Sequence, residues 1–522
     1  MLFNSFIFIF GFLPVAFVAF YLLRRANKLL GMWALTIASL VFYAWWLPSQ
    51  SWILLVSILL NFGVGRFIQT YRESRPQAAR LMLYAGLTAN LGALFYFKYS
   101  MFFLENLNRF GDADFTIPHI LLPLGISFFT FQKIAYIVDS ARGEVKRTSF
   151  SEFALFASFF PQLISGPIVH HKEIIPQFRD KLFGVLQWSN VLVGLTIFSF
   201  GLFKKTVIAD SIAAYFIPLY KTAAATGHVD PQTGWVIAVG WTLQVYFDFS
   251  GYSDMAIGLG RMFGVRLPLN FHSPLRAASI IDYWRRWHMS LQRFILSYVF
   301  QPLALPLTRF STTRKLKGWT EFAVTVVTPS FLTFFLLGVW HGAGWGYVVY
   351  GLLNGFYVSV NEAYRELKRR RRRRLRRAGL PAPKDPGVLR RTGYHVLTLA
   401  CALTGNMFFR AESLHDGVTI FQGMWGLNGL AANPALAGKV ELGFLAVLLA
   451  AASIIVFLPN TQQIMRAYRP AANWAQWKDI GWPAVRWRWR PAPIYLVYVA
   501  FALFVGVQFI QRGAEVFVYF AF

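Results

Sequence analysis

The chain contains little of what a soluble or secreted protein of its length needs. Cys401 is the only cysteine in 522 residues, so a disulfide within the chain is excluded. Because Cys401 lies in an apolar run, we do not expect a catalytic thiolate there. Charged residues make up 14% of the chain, against about 25% in an average soluble domain. This deficit argues against one large soluble core and predicts many membrane spans.

Acidic residues are especially scarce. The 23 Asp and Glu accompany 51 Lys and Arg, which gives a net charge of +28. The basic residues cluster beside apolar segments, a pattern typical of membrane topology, so we do not expect a nucleic-acid partner. The strongest cluster places ten Lys or Arg in positions 365–377. We interpret it as part of a cytosolic loop near anionic membrane lipid.

Several sequence signals are missing as well. The nine histidines include no pair four residues apart, and no zinc-type Cys/His spacing occurs, so no metal site is expected. Residues 1–21 are apolar but lack a basic leading region, so we interpret them as a retained first span. No internal repeat is visible, which argues against a transporter built from inverted halves.

Thirteen apolar stretches between residues 5 and 511 are long enough to cross a membrane. The alternation of a β-barrel is absent, so we predict an all-α, polytopic transmembrane protein. It would have about 11–13 spans, with re-entrant or interfacial helices around a central tunnel. Basic loops at 24–32, 71–80 and 141–147 place the N-terminus outside the cytosol.

Polar residues divide the chain into four parts. Gly, Pro, His, Asp and Trp are concentrated between about 120 and 360, where a plain span would carry Leu and Val. We therefore predict scaffold spans at 1–117, a catalytic core at 118–362, a basic cytosolic loop at 363–390 and further scaffold spans at 391–522.

Two histidines occur in apolar surroundings, each beside a tryptophan. An ionisable ring at membrane depth needs a partner or a water-filled cavity, so both are candidate functional residues. His341 lies in Trp340-His-Gly-Ala-Gly-Trp345. A neutral imidazole there could accept a proton from a hydroxyl, and Trp340 and Trp345 would bind substrate as apolar walls with N–H groups. The alternative is a packing histidine bonded to a backbone carbonyl.

The second histidine, His288, ends a basic and aromatic segment. At helical spacing Arg285 and His288 share one face, and Trp287 lies on an adjacent face of an amphipathic segment. Arg285 and Arg286 could bind phosphates of a cytosolic acyl donor such as coenzyme A, or lipid headgroups. His288 would either orient substrate or support His341.

A third group of polar residues lies in an apolar region. Asp248, Tyr252 and Asp254 fall within nine residues of one another. Because an aspartate inside a span costs about 2.5–3.5 kcal/mol on insertion scales, we expect buried ion pairs, with Arg261 or Arg266 as partners. A substrate-lining role for Tyr252 and Asp254 is the alternative.

Two segments interrupted by Gly and Pro complete the candidate site. They are Pro123–Gln132 and residues 160–170, and both carry neutral hydrogen-bonding groups. We predict broken helices around a cavity, with Gln132 as a substrate-binding residue.

Together these motifs resemble one family. In chain order they are Pro123-Leu-Gly-Ile-Ser-Phe-Phe-Thr-Phe-Gln132, Phe160-Pro-Gln-Leu-Ile-Ser-Gly-Pro167, Gly201-Leu-Phe-Lys-Lys205, Asp248-Phe-Ser-Gly-Tyr-Ser-Asp-Met-Ala256, Asn270-Phe271, Trp284-Arg-Arg-Trp-His288, Gly338-Val-Trp-His-Gly342 and Phe408-Phe-Arg410. The set resembles the membrane-bound O-acyltransferase (MBOAT) family, and within it the alginate O-acetylase group of bacteria.

The resemblance implies an acyltransferase with His341 as the essential histidine and His288 as a second characteristic position. It implies a bacterial inner-membrane protein that moves acetyl groups from a cytosolic donor, expected to be acetyl-CoA, toward an exopolysaccharide such as alginate. No bound cofactor is expected, and the expected partner is a periplasmic SGNH-type acetyltransferase. Cellulose acetylation, D-alanyl transfer to teichoic acid and transport of a polysaccharide precursor are the alternatives.

Overall fold

Helices make up 75% of the protein in a computed structural model that describes residues 1–111, 114–381, 387–436 and 438–510. No β-strand occurs in those ranges. The predicted all-α class is therefore confirmed.

In the described chain, the α-helices before residue 204 are α1 (Leu13–Ala26), α2 (Lys28–Ala44), α3 (Ser51–Tyr71), α4 (Pro76–Lys98), α5 (Ser100–Phe110), α6 (Ile126–Arg142), α7 (Phe150–Ser158), α8 (Phe160–Leu163), α9 (His171–Arg179) and α10 (Trp188–Phe203). Those that follow are α11 (Asp210–Thr226), α12 (Pro231–Met262), α13 (Ile280–Arg286), α14 (Met289–Ile295), α15 (Gln301–Thr313), α16 (Gly318–Phe322), α17 (Thr328–His341), α18 (Trp345–Arg377), α19 (Val388–Arg410), α20 (Leu414–Met424), α21 (Leu442–Phe457), α22 (Thr461–Ile464) and α23 (Pro493–Ile510). Short π-helical stretches extend some of them, at Ile7–Phe12, Lys204–Ala209, Leu296–Phe300 and Ala323–Val327.

Several helical segments are long and apolar enough to cross a membrane. Within the described residues there are six: Ile7–Ala26, Pro48–Tyr71, Pro76–Lys98, Trp188–Thr226, Gly318–His341 and Pro493–Ile510. Lys28–Ala44 and Leu442–Phe457 are shorter apolar helices. The protein is thus a multi-pass membrane protein, and the count of 11–13 spans stays a prediction.

The chain forms two compact units, and the predicted division into four parts stays a prediction. Unit 1 contains Met1–Asp210, Phe247–Asn270 and the chain from Pro459 onward, and unit 2 contains Ser211–Tyr246 and Phe271–Leu458. The division falls within α12, and the predicted catalytic core at 118–362 contributes to both units.

In unit 1, glycines allow α10 and α12 to pack closely. Gly194 faces Gly258 and Gly201 faces Gly251, and a Cβ on any of the four would lie 2.5–2.8 Å from the facing carbonyl oxygen. The seven-residue spacing on both helices repeats the contact after two turns. Small residues permit such close contacts between membrane helices, where dispersion forces drive association.

In unit 2, a similar contact joins α17 to α18. A Cβ on Gly338 would lie 2.7 Å from the Cα of Gly351, and one on Gly351 would lie 2.6 Å from the carbonyl oxygen of Phe334. The two helices are connected by the short segment 342–344, so they form a hairpin. This hairpin positions His341, the last residue of α17.

The segment predicted as a basic loop is largely helical. α18 continues to Arg377, so residues 363–377 form the last part of this helix, and residues 382–386 of the predicted loop lie outside the described residues. Glu362 binds Arg365 and Glu366 binds Arg370, each with an N–O distance of 2.8 Å. These pairs are three and four residues apart, the spacing at which opposite charges stabilise a helix. They offset the repulsion among the neighbouring arginines.

Candidate active site

His341 is held at the end of α17 by close packing. Its side chain is only 5% exposed. The next residue, Gly342, lies directly against Tyr347, and a Cβ at Gly342 would overlap the Tyr347 ring. The glycine therefore lets the chain turn closely between α17 and α18, which explains the small residues after His341 in the sequence.

Aromatic rings surround the His341 imidazole. Its centroid lies 4.8 Å from Trp340, 4.9 Å from Phe409 and 5.7 Å from Tyr350. The last two rings meet the imidazole nearly edge to face, at 86° and 79°, a preferred aromatic geometry. Trp340 is 7% exposed but Trp345 is 45% exposed. The two predicted indole walls thus lie in different environments.

His288 lies at a break between two helices. α13 ends at Arg286 and α14 begins at Met289, and His288 has φ 44° and ψ 52° in the left-handed region. That conformation costs an L-residue roughly 1–2 kcal/mol, and such strain is concentrated at functional sites. The expectation that Arg285 and His288 share one face of a continuous helix is therefore wrong, because the break rotates the chain between them.

The His288 ring is buried and neutral. It is 1% exposed and lies 6.5 Å from the Phe271 ring at an interplanar angle of 19°. His288 lies outside the candidate membrane-spanning helices. Burial lowers its pKa to about 3, because the charged form loses its hydration. The imidazole is therefore unprotonated at neutral pH.

Both histidines border one aromatic cluster in unit 2. Successive ring contacts of 5.1–6.5 Å run from His288 to His341 through Phe271, Trp287, Tyr283, Trp284 and Tyr350. Trp284 and Trp287 are each 5% exposed. The structure thus links the two predicted histidines through a shared packed cluster, which their separation of 53 positions did not indicate.

The two arginines before His288 differ in environment. Arg286 forms an ion pair with Asp282, with an N–O distance of 2.9 Å, and its side chain is 11% exposed. Arg285 is exposed. The carboxylate partner of Arg286 was not expected from the sequence, and binding of coenzyme A phosphates by either arginine stays a prediction.

The two aspartates are buried in unit 1 with lysine partners. Lys204 Nζ lies 2.6 Å from Asp254, and Lys205 Nζ lies 2.9 Å from Asp248 and 2.7 Å from Asp210. The ion-pair network is therefore present, but its cations are not the predicted arginines. Lys204 and Lys205 follow α10 in a π-helical stretch, and the Lys-Lys pair that ends an apolar run is a sequence signal that could have identified them.

The predicted arginine partners have other contacts. The guanidinium of Arg261 donates to the backbone oxygen of Tyr468, and the backbone N–H of Arg266 donates to the side chain of Gln177. Tyr252 is 4% exposed, and its ring lies 4.8 Å from the Phe3 ring in a stacked arrangement.

The two segments interrupted by Gly and Pro contact each other in unit 1. Gly125 has φ +70°, and a Cβ there would lie 3.0 Å from the Cα of Ile164. Gln132 is 1% exposed, and among the described residues neither atom of its amide group has a hydrogen-bond partner. Asp254, Tyr252 and Gln132 thus belong to unit 1, whereas the two histidines belong to unit 2.

Metal binding finds no support in the part of the chain that the structure describes. No group of three His, Cys, Asp or Glu side chains there could hold an ion. The chemistry available at His341 is that of an imidazole among aromatic rings, which suits proton transfer or nucleophilic attack.

The helices and the buried imidazoles define a multi-pass membrane protein with a histidine-centred candidate site. The chain belongs to the membrane-bound O-acyltransferase family, whose sequence pattern matches residues 37–381. It is therefore an O-acyltransferase, which removes the transporter alternative.

Curated relatives differ in the acceptor that their names give. A peptidoglycan O-acetyltransferase of Helicobacter pylori is 38% identical over 460 residues, covering 83% of this chain and 81% of that protein. The probable alginate O-acetylase AlgI of Pseudomonas aeruginosa is 36% identical over 433 residues, covering 81% and 75%. A teichoic acid D-alanyltransferase of Bacillus subtilis is 30% identical over 261 residues, covering 48% and 63%.

Proposed function

We propose that the protein moves acetyl groups from cytosolic acetyl-CoA across the bacterial inner membrane for O-acetylation of an exopolysaccharide such as alginate. The names of two relatives similar along most of the chain support acetyl as the acyl group. The D-alanyltransferase relative covers less than half of this chain, so D-alanyl transfer has weaker support.

The position of His341 in its span carries the proposal. The helix Gly318–His341 has 24 residues, about 36 Å at 1.5 Å per residue, which exceeds the roughly 30 Å of a hydrocarbon core. Arg314, Lys315 and Lys317 precede it, and α18 returns to the basic residues 365–377. Because basic ends favour the cytosol, His341 would lie toward the opposite side of the membrane. An acceptor arriving from that side could reach the imidazole.

The chemistry follows from one imidazole. His341 accepts the proton of an acceptor hydroxyl while the hydroxyl oxygen attacks the thioester carbonyl carbon. The new C–O bond forms, the C–S bond breaks, and the imidazolium returns the proton to the coenzyme A thiolate. In the alternative mechanism, the acetyl group is first transferred to His341 as an acyl-imidazole, and the acceptor hydroxyl then attacks this intermediate. The Trp340 indole N–H is a candidate donor to the developing oxyanion.

The acceptor hydroxyl can belong to the polymer or to a partner. We assign the first acceptor hydroxyl to a periplasmic SGNH-type acetyltransferase. This partner would receive the acetyl group and then acetylate the polysaccharide. Peptidoglycan is the second candidate acceptor, because the Helicobacter pylori relative is named for it.

The test is acetyl transfer by reconstituted vesicles that contain the protein and an added periplasmic fraction, with radiolabelled acetyl-CoA on the cytosolic side. We expect label on alginate, or on peptidoglycan for the second candidate, and loss of label in His341→Ala at normal protein level.

His395→Ala is the matched control. The His395 Nδ1 group donates a hydrogen bond to the backbone oxygen of Ala277, with a distance of 2.9 Å, so His395 is a packing histidine in the same unit. This variant should keep transfer and lose some stability. If His341→Ala behaves in the same way, His341 also serves only in packing. Label from a D-alanine-loaded carrier protein, with none from acetyl-CoA, would contradict the acetyl assignment.

A further inference from the structure

Lys133 is a buried amine that neither the family chemistry nor the ion-pair network uses. It lies in α6, its side chain is 0% exposed, and its Nζ has no hydrogen-bond partner among the described residues. Its Nζ lies over the Phe129 ring, 4.1 Å from the ring centroid. Burying an amine without an oxygen partner costs free energy, so a ligand that supplies the oxygen would explain the residue.

Two further buried polar groups belong to the same region, one on α6 and one whose ring lies near Phe129. Gln132 is 1% exposed with both amide atoms unpaired, and Tyr43 is 3% exposed with its hydroxyl unpaired, again among the described residues. The Tyr43 ring lies 6.5 Å from the Phe129 ring. Phe129, Gln132 and Lys133 share one face of α6 at the three- and four-residue spacing. We call these four residues the Lys133 cluster, and all of them belong to unit 1.

We propose that the Lys133 cluster binds an uncharged chain rich in carbonyl oxygens, of the class found in the pantetheine arm of an acyl-coenzyme A. This assignment rests on the proposed function, because it names the part of the acyl donor that the cluster would hold.

The chemistry of the cluster favours carbonyl groups. The amine of Lys133, the amide N–H of Gln132 and the hydroxyl of Tyr43 can all donate hydrogen bonds, and an ester or amide carbonyl accepts them without bringing charge into the protein interior. A phosphate would need several buried cations, and the cluster has one amine. Lys133 lies nine residues before Arg142 at the basic end of α6, about 14 Å along the helix. A chain entering from that end could reach the cluster while its phosphates stayed near the surface.

The same carbonyl chemistry occurs in the ester groups of a phospholipid, so the experiment has two arms. Isothermal titration of the full-length protein in detergent would measure its affinity for pantetheine and for acetyl-CoA. A thermal shift with added phosphatidylglycerol would measure the lipid response. We expect pantetheine to bind the wild-type protein, with about fivefold to tenfold weaker binding in Lys133→Met. A response to phosphatidylglycerol without one to pantetheine would overturn the assignment.

Two tyrosines provide a matched pair of variants. Tyr43→Phe removes an unpaired hydroxyl and should weaken pantetheine binding at unchanged stability. Tyr21→Phe removes a hydroxyl that donates to the backbone oxygen of Met262 at 2.7 Å. It should lower stability and leave affinity unchanged. Equal affinity in Tyr43→Phe and the wild-type protein would refute the inference, and this variant decides the matter if Lys133→Met does not fold.

The outcomes separate this inference from the proposed function. Wild-type affinity in both Lys133→Met and Tyr43→Phe, together with acetyl transfer that depends on His341, refutes only the carbonyl site. Absence of acetyl transfer by the wild-type protein refutes the proposed function itself.

Discussion

Removal of the Lys205 amine should destabilise unit 1 more than removal of either carboxylate that it binds. Lys205 Nζ lies 2.7 Å from Asp210 and 2.9 Å from Asp248, and the three side chains are 3%, 10% and 1% exposed. Lys205→Met leaves two buried carboxylates without their shared cation. Breaking a buried ion pair in this way costs about 3–5 kcal/mol, because the remaining charge is not hydrated. Most of the lost stability comes from carboxylate charge that Lys205 no longer neutralises, and less comes from the lost contacts themselves.

Asp248→Asn should cost less. The variant keeps the pair between Lys205 and Asp210 and replaces one carboxylate by a neutral amide of the same shape, so the loss is about 1–3 kcal/mol for a hydrogen bond to a charged group. The order of the two losses follows from the network, in which one cation serves two carboxylates.

Equilibrium unfolding in mixed detergent micelles would measure both free energies. The double variant Lys205→Met/Asp248→Leu is the control, because removal of one stranded carboxylate should recover part of the stability lost in Lys205→Met. Equal stability of Lys205→Met and Asp248→Asn would refute the reasoning, since it would mean that solvent screens the carboxylates.

Three further variants test local features. Gly342→Ala should abolish acetyl transfer and lower stability by about 1–3 kcal/mol, because its Cβ would overlap Tyr347. A Cβ at Gly393 would meet no atom within 4 Å, so Gly393→Ala should keep acetyl transfer and raise stability by about 0.5–1 kcal/mol. Burial holds the His288 pKa at about 3 in the folded state, below the ordinary value near 6.5. The stability that depends on a neutral His288 is therefore complete above about pH 6.5 and is lost as the pH falls toward 3, because only the unfolded chain binds the proton in that range. A thermal-unfolding series should show about 2 kcal/mol lost by pH 5, and His288→Asn should remove that dependence. Ser149→Ala should lower stability by about 1 kcal/mol in thermal unfolding, because it breaks the capping box of α7.

Hydropathy was sufficient to predict the all-α class and a multi-pass membrane protein. Backbone groups in lipid must bond internally, so long apolar runs have few structures other than helices. The extent of helix α18 was missed because the basic cluster was interpreted from its position after an apolar stretch, without considering Glu362 and Glu366. Both acids occur in the sequence at the spacing that stabilises a helix, so the pattern was sufficient to predict the longer helix.

The break at His288 could not be predicted from spacing. Trp284 to Leu291 fit a helical pattern, whereas His288 has a φ of 44°. The partners of Asp248 and Asp254 were missed for a related reason. The expected arginines are near in sequence, whereas Lys204 and Lys205 reach the aspartates from another helix that glycine contacts bring close. Long-range pairing of this kind depends on helix packing.

Buried polar groups of unit 1 fall into two kinds that the sequence does not distinguish. Asp248 and Lys205 satisfy each other, so their cost is offset within the fold and their removal should be seen in stability. Lys133 and Gln132 are just as deeply buried, yet the described residues offer them no hydrogen-bond partner. A fold gains nothing from such groups by itself, so their removal should lower ligand affinity and should keep or raise stability. The contrast between Lys205→Met and Lys133→Met therefore tests the distinction directly: the same substitution, at two lysines of one unit, should change different measurements.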